Sequence, residues 1–364
     1  MQRSVALVGL LAAGSSGVSR YATALTRALG EVAPEYPGLD LQLLTTAAGA
    51  DRIGPVQLDV RATPLRHRLV RGGPGRILLE QLRAATSRSD LLHFFDVSGP
   101  VFAPRQPFVA TIHDAGVMHG FGTAREAYKR RLYPWALRRA RATIAVSGFA
   151  RDEAVRHFGA DGGKIAVVHS GPGFAPALAT TEPGRDFGLA DGGYHLYVGN
   201  LNANKNLPFL VRAYERAGLT SPLVLVGRKG EGFGELERAV QLASSPIKLI
   251  FDAADAEVDR LYRQATGLLL PSRYEGFGFT PLEAMSRGCP VLASDIPALR
   301  EVAGAGAMLL PLDDEEAWAA AIRSIDSDRE LRQSLRQRGE DCVSRYSWEA
   351  TARRLCDVFT RIEL

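Results

Sequence analysis

Short apolar runs and helical stretches alternate along almost the whole chain. SVALVGL, residues 4–10, has the makings of a buried strand, and after AAGSSG the positions Val18, Tyr21, Ala22, Leu25 and Leu29 recur at the spacing of one helix face. DLLHFF, PFVATIH, ATIAVS and KIAVVH repeat the strand pattern, with amphipathic stretches such as 124–141 between them. Around 171–193 the alternation lapses into GPGFAPALATTEPGRDFGLADGG, which reads as a linker. A second series follows, YHLYVG, PLVLVG, IKLIF, GLLLP, PVLAS and AMLLP, and the tail from about Asp313 through Glu363 is helical. Strands alternating with helices predict doubly wound α/β folding with parallel sheets and helices on both faces. Two Rossmann-like domains are expected, one over 1–175 and one over 176–346, with a last helical segment at 347–364 whose apolar face must pack on something.

A length of 364 residues agrees with two domains, because it exceeds the size at which one core usually stops growing. The first apolar run spans only about ten residues, too short for a bilayer, and lacks the pattern of a signal peptide, so the cytoplasm is the default location. Cys289, Cys342 and Cys356 have no CxxC spacing and read as reduced thiols. The histidines show no HExxH or similar pairing, so no protein-built metal site is expected. Charge changes the picture more. Residues 1–175 carry 22 Lys and Arg against 13 Asp and Glu, whereas the remainder carries 22 against 27. Either the first half faces something anionic, such as a membrane leaflet approached by Arg66, Arg68, Arg71, Arg130 and Arg131, or arginine simply lines its solvated helix faces.

The most informative segment is PSRYEGFGFTPLEAMSRGCPVLASD, residues 271–295. A strand ends at Pro271, a glycine-punctuated loop follows, and a helix is expected from Pro281 with Thr280 as N-cap and Gly288 at its end. Backbone N–H groups ahead of a helix N-terminus make a ready site for a diphosphate. Glu275 and Glu283 flank the turn. Thr280 and Glu283 also have the spacing of a capping box, which accounts for Glu283 but not for Glu275 or the two glycines. In YVGNLNANKNLPFLVRAY, residues 197–214, Lys205 falls at the carboxyl end of a strand, where open α/β sheets bind ligands. VGRKGEG, 226–232, follows another strand and offers Arg228 and Lys229. GLLAAGSSGVSRY, 9–21, is a glycine-rich turn, although the usual GxGxxG spacing is absent. His113 and Asp114 end the strand PFVATIHD.

The segment 271–295 closely resembles the glutamate–seven–glutamate signature of family-four retaining glycosyltransferases with the GT-B fold. The resemblance extends to the N-terminal glycine loop, TIHD at 111–114, AVS at 145–147, YVGNLNANKN, VGRKG and the helical tail. It implies two facing Rossmann-like domains, an N-terminal one for the acceptor and a C-terminal one for the nucleotide sugar, with the last helix crossing back to the first. Glu275 would contact hydroxyls of the donor sugar and Glu283 the ribose diol. Phe277, Gly278, Phe279 and Thr280 would offer backbone groups to sugar and phosphate, and Gly14 to Gly17 would approach donor phosphate and acceptor. His113 would lie near the anomeric centre, with Asp114 orienting it or facing the acceptor. Family members pair the lysine with a second basic residue, but Asn200 and Asn204 stand at those places here. Lys205 therefore remains as one clamp of two, with Arg228 or Lys229 as substitutes.

The resemblance implies retaining, metal-independent transfer of a hexose or deoxyhexose, with no cofactor beyond the nucleotide-diphosphate sugar (GDP-, UDP- or dTDP-linked). The acceptor would be a glycan, glycolipid or small molecule, as in members that build O-antigen-like chains with mannose or rhamnose. No nucleic-acid partner is expected. A nucleotide-sugar epimerase would share the architecture but convert donor without acceptor. A non-catalytic binder is the other alternative, motivated by Asn200 and Asn204.

Overall fold

The computed structural model describes residues 2–8, 17–63, 84, 86–100, 104–121, 128–173 and 185–363. The chain divides into two compact units, Met1–Gly173 with Tyr346–Leu364, and Phe174–Arg345. The junction lies in the Gly- and Pro-rich stretch, of which 174–184 is outside the described residues.

The first unit is built on β1 (Arg3–Val8), β2 (Leu39–Thr46), β3 (Asp59–Thr63), β4 (Leu91–Phe94), β5 (Phe108–Ile112), β6 (Ala142–Ala145) and β7 (Ile165–Val167). They form one parallel sheet in the order β3-β2-β1-β4-β5-β6-β7. All residues of β4 and β5 are buried, as expected of central parallel strands covered on both faces. β2 and β3 add an edge beyond the apolar runs read from sequence. Asp40 and Gln42 interrupt β2, which alternates buried and half-buried positions before turning fully buried.

The helix Gly17–Val32 buries Tyr21, Ala22, Leu25 and Leu29. Against it lies the final helix, Trp348–Arg361, started by Ser347, whose side chain accepts from the Ala350 N–H. This helix belongs to the first unit by many bonds. Trp348 Nε1 donates to the Pro172 carbonyl at 2.6 Å, Thr351 Oγ1 to that of His169 at 2.7 Å, and Arg353 makes a fork to both oxygens of Glu35 at 2.9 Å. The stretch expected to be helical from Asp313 onward is three helices, because Asp314, Asp328 and Ser347 each cap a new start. The helix expected over 124–141 runs Lys129–Arg139, and 122–127 lie outside the described residues.

The second unit carries β8 (His195–Val198), β9 (Leu223–Val226), β10 (Ile247–Ile250), β11 (Gly267–Leu270), β12 (Val291–Ser294) and β13 (Met308–Leu310). The parallel order is β10-β9-β8-β11-β12-β13, so the winding reverses between β8 and β11. The cysteines are free and buried, and burial pushes the thiols of Cys289 and Cys356 up to about 12. Among the described residues no helix is long and apolar enough to cross a membrane.

Candidate active site

Ligands of open α/β sheets bind outside the carboxyl ends of the strands where the winding reverses. In the second unit that point is flanked by the loop 199–206 after β8 and the loop 271–278 after β11. The two are stitched together. The Arg273 N–H donates to the Asn204 carbonyl at 2.8 Å, and Asn204 Nδ2 donates to the Tyr274 carbonyl at 3.2 Å. On the other side, the loop after β9 runs alongside 199–206. Leu201 N–H donates to the Arg228 carbonyl and Ala203 N–H to that of Glu231, both at 2.8 Å. Gly227 makes this approach feasible, since a Cβ there would lie 1.8 Å from the Gly199 carbonyl oxygen.

Lys205 closes a short 3-10 turn, Ala203–Lys205, and its ammonium meets Glu275 Oε1 at 2.6 Å. Both side chains are mostly buried, 17% and 15% exposed, so the pair is less screened than a surface salt bridge. A hydrogen bond to a charged group contributes about 1.5–3 kcal/mol. Tyr197 underlies this loop. Burial and then the charge of Glu275 push its phenol well above the ordinary range, and the retained proton is donated to the Asn200 carbonyl at 3.0 Å.

The next helix spans Phe279–Met285, with Gly278 as its N-cap at φ +100°. Thr280 and Pro281 therefore sit within the first turn, not at the N-cap and first helical positions, and there is no capping box with Glu283. Gly278 turns the chain in left-handed backbone that other residues resist, and a Cβ there would meet Leu299 Cδ2 at 2.8 Å. Glu283 is buried to 1% exposure and accepts from Tyr262 Oη at 3.1 Å. Phe277 is buried and its ring packs edge-on to Phe279 at 5.2 Å.

The two substitute cations, in the loop after β9, have partners of their own. Arg228 is exposed and lies 3.9 Å from Asp252. Lys229 stands over the rings of Phe233 and Phe251, at 4.5 and 5.2 Å, and 3.9 Å from Glu237. Asn200 is exposed, whereas Asn204 is committed to holding the two loops together.

In the first unit, His113 follows β5 and its Nε2 donates to the Phe95 carbonyl at 2.7 Å, across the neighbouring loop after β4. In the neutral ring that bond leaves Nδ1 as the acceptor nitrogen. The ring packs edge-on against Tyr21 at 4.8 Å. Asp114 does not orient it. Its carboxylate accepts from the Gly116 N–H at 2.8 Å in a local turn. A carboxylate missed in the sequence reading, Asp96, stands on the loop with Phe95. Although burial opposes ionisation, the charges of Lys129 and His113 and bonds from Ser98 hold its carboxyl below the usual range. Gly17 opens its helix, and Gly14 lies outside the described residues. The absence of a metal-ligand pattern in the sequence did not carry into three dimensions: His119, Glu153 and His157 bring ligand atoms within 4.8 Å of one another.

The family described as "Glycosyltransferase Family 4" matches residues 15–171, and that described as "Glycosyl transferases group 1" matches residues 188–341. O-antigen chain mannosyltransferase B of Escherichia coli is 28% identical over 357 residues, covering 92% of this chain and 93% of its own. Among solved structures, HepE of Anabaena in complex with UDP-glucose superposes with a TM-score of 0.73 at 18% identity, over 99% of this chain and 100% of that one. Sucrose-phosphate synthase from Thermosynechococcus elongatus gives a TM-score of 0.72 at 22% identity, over 99% of each. At such identities the structural likeness speaks to the fold alone.

Proposed function

The chain belongs to the group 1, family-four glycosyltransferases of the GT-B fold, and from that premise we propose that it transfers a hexose with retention from a nucleoside diphosphate sugar to a hydroxyl of a glycan or glycolipid. Mannose is the first candidate sugar, because the relative aligned over nearly the whole chain is named as a mannosyltransferase. Glucose carried by UDP is second, from the ligand of the HepE structure.

The observation that carries the reading is the Lys205–Glu275 pair at the winding reversal of the second sheet. A diphosphate arriving there meets Lys205 and the start of the helix Phe279–Met285, while a sugar hydroxyl can donate to Glu275. Glu283, steadied by Tyr262, is the acid assigned to the ribose diol. As the glycosidic bond breaks, negative charge grows on the leaving diphosphate, and a positioned ammonium and backbone dipoles stabilise that charge more than the ground state. The acceptor proton passes to the leaving phosphate on the same face of the sugar. His113 is assigned to the reacting sugar, and Asp96 joins Asp114 as a candidate on the acceptor side. No metal is assigned a part in the transfer step. The excess of basic residues over 1–175 favours an acceptor held at an anionic leaflet. Arg130 is committed to the Val117 carbonyl and Arg131 is exposed, while Arg66, Arg68 and Arg71 lie outside the described residues.

The test is purified protein against a panel of GDP-, UDP- and dTDP-sugars with mannoside and lipid-linked acceptors, in excess chelator. Retained anomeric configuration in the product, read by NMR, is expected. Inversion, an absolute need for Mg²⁺ or Mn²⁺, or donor conversion without acceptor would overturn the reading. Vesicle binding that ignores both lipid charge and salt would remove the leaflet.

A further inference from the structure

We propose that His119, Glu153 and His157 form a binding site for a divalent transition metal, zinc foremost, in the first unit. The site shares no residue with those assigned above. Glu153 and His157 are four apart on the helix Gly148–Phe158 and so share a face. His119 comes from the 3-10 turn Gly116–His119, which Arg130 fixes by donating two guanidinium N–H groups to the Val117 carbonyl, at 3.1 and 3.0 Å.

The geometry is that of a ligand set. Glu153 presents one carboxylate oxygen to His119 Nε2 and the other to His157 Nε2 at 3.4 Å, and the two rings stand edge-on at 5.0 Å. The carboxylate is only 3% exposed, and a buried carboxylate is costly without a firm positive partner. Arg156 is 3.8 Å away and 72% exposed, too loose and too well solvated to fill that role. His157 Nε2 is enclosed, and its 3.4 Å contact with Glu153 is not a hydrogen bond. A divalent ion would accept the lone pairs of both neutral imidazoles and neutralise Glu153 in one step. Two imidazoles and one carboxylate suit zinc, with a position left open for water. They do not suit Mg²⁺ or Ca²⁺, which prefer all-oxygen shells.

The experiment uses the full chain, stripped with chelator and then freed of it. Zinc chloride is titrated by calorimetry, and cobalt chloride is followed through its visible absorption. One zinc per chain is expected, with a rise in the thermal midpoint that Mg²⁺ does not reproduce. His157→Gln should weaken binding by about tenfold or more, and His119→Ala with His157→Gln should abolish stoichiometric uptake. Where the double variant fails to fold, by circular dichroism, the single His157→Gln comparison decides. Less than about 0.2 zinc per chain in the wild type, or unchanged zinc affinity in a folded His157→Gln protein, would overturn the site. Both readouts are independent of glycosyl transfer, so this proposal and the transfer reading can fail separately.

Discussion

The two units solve the same architectural problem with different degrees of commitment. In the second, the loops at the winding reversal are tied by backbone bonds, by Asn204 and by the Lys205–Glu275 pair, and a Cβ at Gly227 or Gly278 would clash with its neighbours. In the first, the corresponding loops are joined by the bond from His113 to the Phe95 carbonyl, while Asp96 and Asp114 accept hydrogen bonds within their own turns. On the proposed assignment of the second unit to the donor, a rigid cradle suits a nucleoside diphosphate, which has the same phosphates and ribose whatever the acceptor. Acceptors vary, and a unit whose polar groups are held locally can change one loop without dismantling the next.

What the units share provides the largest expected effect. Each buries a neutral histidine in a central strand: His93 bonded to Thr111 in β4, and His195 bonded to Tyr214 in β8. Burial pushes His93 down to about 3 and His195 down to about 4. Since both lie below the unfolded value of about 6.5, the unfolded chain binds the proton more readily, and stability falls as pH drops. For His93 the window runs from about 6.5 to about 3, and for His195 from about 6.5 to about 4. Each should remove up to about 1.4 kcal/mol per pH unit. Urea unfolding at pH 7 and pH 4.5 should show this loss, and His195→Gln should flatten the slope for the second unit alone. A variant as acid-sensitive as wild type would break the symmetry.

Lys205→Ala tests the rigid side, with an expected loss of about 2–4 kcal/mol in the specificity constant for donor. Glu275→Gln should lose a comparable amount of turnover with the fold intact. Lys205→Arg should recover part, since a planar fork replaces a compact charge. Steady-state kinetics within about threefold of wild type for Lys205→Ala would shift the diphosphate to Arg228. His113→Ala tests the other unit and should cost about 1.5–3 kcal/mol in transfer while sparing donor affinity. A matching rise in donor Kd would mean that the first unit serves the donor as firmly as the second. The smallest effect belongs to Asn204→Ala, about 0.5–1.5 kcal/mol of thermal stability. If the loops are truly stitched, hydrogen exchange should quicken at both 199–206 and 271–278, and quickening at one alone would refute the tie.

Much of this was legible before any coordinates. Strands such as β9 and β11 are uninterrupted apolar runs because both faces are covered, and Glu275, Lys205 and Glu283 follow from strand ends and a glycine loop. β2 was hidden by Asp40 and Gln42, which tolerate its half-buried positions. The helix after Gly278 starts earlier than Thr280 suggests because backbone conformation, not a side-chain cap, begins it. Asn204 looked like a missing charge and proved to be a tether, a role that depends on a carbonyl 70 residues away. Asp96 lacked any spacing signal, and Glu153 and His157, four apart on one helix, gain His119 only across 34 residues.

The last helix has a consequence for synthesis. The chain leaves the first unit at Gly173 and re-enters it at Tyr346, so the second unit is, in sequence, an insertion into the first. Trp348 must return to Pro172 and lies against Gly171, where a Cβ would come within 2.6 Å of its ring. On a ribosome, translation reaches all of the second unit before the first receives its final layer. The helix Gly17–Val32 therefore waits, with an apolar flank uncovered, until Trp348–Arg361 has been made. The early-made half is the one a chaperone would have to shelter, and the half made later can finish folding sooner.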